Sequence, residues 1–153
     1  MTDRYFHGTQ LPFDVIDPDA GFGGLFFSAT KQSAASHGNL IYAVDIPDED
    51  ILSHYQLNYE VPYDDVAAAF SKVCPYEELW DYVVEEDDLF GGDLEPADFG
   101  YDDFGELSWA CQGYRCRLAA ELGYSAVEMS DEHGVSYCVN ELAPTPFVLE
   151  GGT

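Results

Sequence analysis

Apolar and polar residues are arranged along this chain in two different periods, and the change of period divides it. Arg4–Thr9 and Leu25–Ser28 are short runs that read as strands, and Leu40–Ile46 alternates around Val44 until Pro47 ends it. Between the first two lie Pro12, Pro18 and several Asp and Gly residues, a loop signature. Thr30–His37 reads as a short helix closed by Gly38. Further along, Val66, Phe70 and Val73 share a helical face whose start Asp64 and Asp65 could cap and charge. Tyr76, Leu79, Trp80 and Val83 form a second such face behind Pro75. Leu107, Cys111, Tyr114, Leu118 and Leu122 then recur at helical spacing and stop at Gly123.

After that helix the strand pattern returns. Ser125–Met129 and Val135–Val139 flank Asp131-Glu132-His133-Gly134, which predicts a hairpin with Gly at a positive φ, and Thr145–Leu149 predicts a last strand. Strands without regular βαβ alternation imply an α+β fold rather than a doubly wound parallel sheet. Gly21-Phe22-Gly23-Gly24 lacks the third glycine of a dinucleotide fingerprint, so a Rossmann reading is weak. The 153 residues suit a single domain, 1–153, with an acidic helical insert at about 48–106.

Charge narrows the partners. Asp plus Glu number 30 against 5 Lys plus Arg, a formal net charge of -25, and 20 of the acids fall between Asp45 and Glu106 with Lys72 as their one base. Such a surface repels phosphate backbones, which argues against direct nucleic-acid binding, and steers basic protein grooves toward it. Acidity that serves solubility alone is the plainer reading. Cys74, Cys111, Cys116 and Cys138 form no CxxC pair and no His completes a zinc site, so reduced, buried thiols and no metal are expected. Met-Thr-Asp-Arg leads straight into a strand, and no apolar run approaches 18 residues, so the expectation is a cytoplasmic protein with no membrane partner.

The chemistry-bearing stretch is Phe6-His7-Gly8-Thr9, answered by Gly24-Leu25-Phe26-Phe27-Ser28. A strand histidine followed by Gly and a hydroxyl can aim side-chain and backbone hydrogen bonds at one small ligand, and the second strand can add aromatic faces. Taken singly, His7 can equally be a satisfied strand histidine, and Phe26 and Phe27 alternate faces, so one of them belongs to the core. In order and spacing, with Ser33-Ala34 in the following helix, the pair resembles the cofactor pocket of ADP-ribosyltransferases. Glu106-Leu107-Ser108-Trp109, Leu122-Gly123-Tyr124 and Met129-Ser130-Asp131-Glu132-His133-Gly134 are similar to the anti-CRISPR ADP-ribosyltransferases directed at type I-F systems.

That resemblance implies a split pair of small, mostly antiparallel sheets and an enzyme that uses NAD. By it, His7 would hydrogen-bond the adenine-side ribose, the Gly8 backbone would grip the nicotinamide amide, and Thr9 would support it. Phe26 and Phe27 stand where the family has a tyrosine, and Ser28 and Ser33 would line the pocket. A second family tyrosine, which stacks on nicotinamide, falls on His37, a residue that can also serve only the helix dipole. The glutamate of many members is Ser136 here, which supplies no charge for an oxocarbenium-like state. Asp131 is therefore expected as the principal acid and Glu132 as its support, although both also suit an ordinary hairpin turn. The implied partner is a host protein, foremost a type I-F CRISPR surveillance complex; the sequence leaves the oligomeric state open, with a monomer favoured. The alternatives are another host target for the same chemistry, or a non-enzymatic acidic mimic of DNA.

Overall fold

The computed structural model describes residues 2–10, 24–35, 38–86, 94–131, 134–143 and 147–151. Among the described residues, seven strands form two small sheets. β1 (Thr2–Thr9), β3 (Leu40–Pro47) and β7 (Val148–Gly151) make one, in the order β1-β3-β7. β2 (Leu25–Phe27), β6 (Gly134–Val139), β5 (Ala126–Asp131) and β4 (Ile51–Leu52) make the other, in the order β2-β6-β5-β4. Every pairing is antiparallel except β4 with β5. The sheets are joined where Phe6 and Ser28 exchange both backbone hydrogen bonds, at 2.8 and 2.7 Å. This is the α+β split-sheet architecture expected from the sequence.

Period-two alternation sorts the strand side chains into two cores. Tyr5, Phe27, Val44, Ile46, Ala126 and Val139 fill the space between the sheets. On the far face of the second sheet, Val127, Met129 and Cys138 meet Leu107, Cys111 and Leu118 of α4 (Phe104–Glu121). Helices α2 (Tyr63–Val73) and α3 (Trp80–Val83) close that core with Val66, Phe70 and Val83. Asp103 caps α4 by accepting from the Glu106 backbone, and Glu106 accepts in turn from the Asp102 backbone, each at 2.8 Å. Gly123, at φ 90°, ends the helix as its pattern predicts.

Several expectations need correction. The helix predicted over Thr30–His37 is α1 (Lys31–Ala35), and His37 lies outside the described residues. Asp64 and Asp65 sit in the first turn of α2 but cap nothing; Pro62 holds the cap position without a side-chain bond. The final strand begins at Val148, and Thr145 lies outside the described residues, as do Gly91 and Gly92. The acidic stretch is not helical throughout. It contributes β4, a π-helical turn over Gln56–Glu60 and 3-10 turns over Asp48–Asp50, Glu77–Leu79 and Pro96–Phe99, besides α2 and α3. Two-residue β4 carries too little alternation to be read from sequence; its burial beside β5 makes it a strand.

Arg115 pins the acidic stretch to α4. Its side chain is 2 % exposed and donates to the carbonyls of Val83 and Val84, both at 2.8 Å, and of Glu128 at 3.2 Å. The first two donations satisfy carbonyls that the end of α3 leaves without helical partners, and the third ties Arg115 to β5. Glu86 lies 3.3 Å from the guanidinium, and Asn58 donates to the same Val84 carbonyl at 3.0 Å. Burial pulls the Arg115 pKa down, opposed by Glu86 and Glu128.

Candidate functional site: a cleft between β1, β2 and α4

β1 and β2 bring His7 and Phe26 together. A carbonyl oxygen only accepts, so the 2.6 Å contact of His7 Nδ1 with Phe26 O is a donation from an Nδ1–H. That bond fixes the tautomer of the neutral ring and gives Nε2 acceptor character. The ring also packs on Phe27, with centroids 5.2 Å apart. Next to it, Gly8 is required by close approach: a Cβ there would overlap the carbonyl of Ala34 in α1. Gly8 therefore lets α1 lie directly on β1, in addition to the open backbone toward a ligand that the resemblance implies.

Phe6, His7, Gly8, Phe26, Ser28 and Ser136 share the wall of one cavity of about 520 Å³ with Trp109 and Gln112 of α4. That volume is in the range of small-molecule sites. Phe26 and Trp109 pack with centroids 5.8 Å apart, giving the cavity an aromatic side. Ser136, which by the resemblance would stand at the position of a family glutamate, is on the wall. Beneath Phe26 lies its strand partner Cys138, whose thiol burial and a hydrogen bond with Cys116 push well up in pKa. It stays protonated and offers no nucleophile.

The other expected residues are placed differently. Phe27 is fully buried between the sheets, because alternation along β2 turns it away from Phe26; it backs His7 rather than facing the cavity. Ser33 is exposed on α1, where it receives the Thr30 hydroxyl bond at 3.0 Å, and does not line the cavity. Neither does Thr9, paired with Leu40 at the end of β1. Asp131 closes the register of the β5–β6 hairpin opposite Gly134, two positions beyond Met129, whose partner Ser136 is on the wall. Two strand positions are roughly 7 Å. Glu132 and His37 lie outside the described residues. Among the described lining residues there is no carboxylate, Lys or Arg. Nor do the described residues hold a group of His, Cys, Asp and Glu suited to a metal.

Trp109, which the sequence marked only as part of a family motif and gave no site role, and Gln112, which it did not single out, are also wall residues. The signal was there: Trp109 falls off the apolar stripe of α4, and is 56 % exposed, so it needed a task other than core packing.

Two small sheets splayed around a cleft, with a His-Gly strand on its wall, form the architecture of an ADP-ribosyltransferase. Residues 7–143 match the family described as anti-CRISPR type I-F ADP-ribosyltransferase AcrIF11, and the chain belongs to that family. It is thus an ADP-ribosyltransferase, and its family implies NAD as co-substrate. The chain is also similar to a solved structure described as the crystal structure of an anti-CRISPR protein, with 28% identity, a TM-score of 0.74, and coverage of 97% of this chain and 96% of that one. No protein of curated function matches it.

Proposed function

We propose that this chain binds NAD in the cleft, breaks the nicotinamide–ribose bond, and transfers ADP-ribose to a type I-F CRISPR surveillance complex, which then fails to bind DNA. The observation that supports this most is the convergence of His7, Gly8, Phe26 and Trp109 on one cavity. The wall suits the ligand chemically. Phe26 and Trp109 offer faces to a planar ring, while His7, Ser28, Gln112 and Ser136 offer hydrogen bonds to hydroxyls and an amide. With no Lys or Arg among the described wall residues, recognition rests on shape and hydrogen bonds rather than on pairing with pyrophosphate.

Nicotinamide leaves with the electron pair of its bond to ribose, and the sugar carries the positive charge until an acceptor atom of the target bonds to it and releases a proton. A carboxylate is needed beside that charge. We assign the principal role to Asp131 and a supporting one to Glu132. The chain acts as one domain and as a monomer in the host cytoplasm, without touching nucleic acid.

The test is to incubate trace enzyme with labelled NAD and the complex. One labelled subunit, released nicotinamide and lost DNA binding are expected. In a second incubation with host lysate added, label on a different protein would reassign the target. Inhibition that needs one copy per complex and ignores NAD would instead fit a DNA mimic, the reading that the -25 charge favours.

A further inference from the structure

Tyr55, Tyr59 and Tyr63 follow one another at intervals of four and are 61%, 75% and 70% exposed. None belongs to the cavity wall. Tyr55 and Tyr59 pack together with centroids 5.1 Å apart, and Tyr63 leans on Trp80 at 5.4 Å. Their backbone is braced. The Asn58 side chain donates to the carbonyls of His54 and Val84, each at 3.0 Å, and Ser53 and Gln56 exchange backbone-to-side-chain bonds at 3.1 Å. Exposed aromatics on a rigid support give contact area at small entropic cost, the property of binding hot spots.

Beside this row is a recess of about 360 Å³ lined by Glu60 and Asp65 together with Val61, Pro62, Leu122 and Tyr124. Carboxylates set beside apolar side chains fit a long cationic side chain, whose stem packs while its head pairs. Arginine also stacks on tyrosine faces. A second copy of this chain is opposed by the repulsion of two -25 charges. The patch follows β4, at the opposite edge of the four-stranded sheet from β2 and the cavity. Three strand spacings separate those edges, roughly 14 Å.

We propose that Tyr55, Tyr59 and Tyr63, with the Glu60–Asp65 recess, are a docking site for an arginine-bearing segment of the target protein, separate from the cavity where NAD reacts. The partner's identity as target rests on the proposed function; the binding chemistry does not.

The test is calorimetry with an oligoarginine peptide at physiological salt. The Tyr55→Ala/Tyr59→Ala/Tyr63→Ala variant, of unchanged charge, should bind about ten-fold more weakly, and Tyr→Phe at the same positions should bind like the parent. Tyr59→Ala alone should weaken binding in the same direction and guards against a misfolded triple variant. Glu60→Gln/Asp65→Asn should weaken binding more than the equally neutralising pair Asp3→Asn/Glu141→Gln. Undiminished binding by the triple variant, or equal loss from the two neutralised pairs, would overturn the site. So would sedimentation showing a parent dimer that the triple variant lacks. With the surveillance complex as acceptor, the triple variant should lose transfer while binding NAD with the parent's affinity by calorimetry. Should the parent label no complex, the target assignment fails, and the peptide measurement still decides the docking site.

Discussion

The Nδ1–H of His7 is committed to the carbonyl of Phe26 at 2.6 Å, so a histidine of β1 and an aromatic residue of the cavity wall are held by one bond. His7→Ala removes both that bond and the hydrogen-bonding ring. The expected outcome is NAD affinity reduced by about ten-fold or more, since a hydrogen bond in a closed site contributes on the order of 1–3 kcal/mol. Calorimetry with NAD checks it, and an unchanged affinity would remove His7 from the site.

Asp131→Ala should keep the melting temperature, and NAD affinity within a few-fold, yet lower transfer by about 10²-fold or more, the usual loss of a charge-stabilising group. Transfer at the parent rate would rule out the assignment of Asp131.

Trp109 offers a graded test of the aromatic wall. Trp109→Phe keeps a ring opposite Phe26 and should retain most nicotinamide release; Trp109→Ala opens the wall and should raise KM for NAD several-fold. Equal kinetics for the two variants would show that the ring contributes nothing.

The split between what the chain reveals and what it conceals has physical causes. His7, Gly8, Phe26 and Ser28 were legible because their two motifs resemble, in order and spacing, the ADP-ribosyltransferase pocket; alternation alone does not single them out, since β1 buries Tyr5 and Gly8, three positions apart. Trp109 stood in a family motif, but its place on the wall needs the tertiary approach of α4 to β1 and β2, and Ser33 was misplaced because one helical turn of α1 presents Ala34, not Ser33, to β1. Arg115 was illegible for a different reason. An arginine reads as surface, and only tertiary structure brings the carbonyls of Val83, Val84 and Glu128 to meet it.

Arg115→Ala takes the guanidinium from the Val83 and Glu128 carbonyls and from Glu86, while the Val84 carbonyl keeps Asn58 and Glu86 keeps His54. A loss of about 3–5 kcal/mol is expected by urea unfolding, the range for breaking a buried charged pair. A change under 1 kcal/mol would mean that water replaces the guanidinium.

Alkaline pH should loosen the fold. Burial, then Tyr137, Asp3 and Asp48, push Tyr5 from 10.0 up to about 12, and burial with Cys74 pushes Cys111 from 9.0 up to about 12. The folded chain thus holds these protons more tightly than the unfolded chain does. The stability they contribute is complete below the unfolded values and is lost as pH climbs through the folded ones. Urea midpoints should fall steadily above about pH 9. A midpoint constant to about pH 11 would contradict that.

β4 also bears on how this scaffold can be engineered. Excising the acidic stretch to make a minimal catalyst would strip β5 of its outer neighbour and leave a bare ladder of amides inviting aggregation. A shortened descendant of this chain would need a replacement edge before it could need anything else.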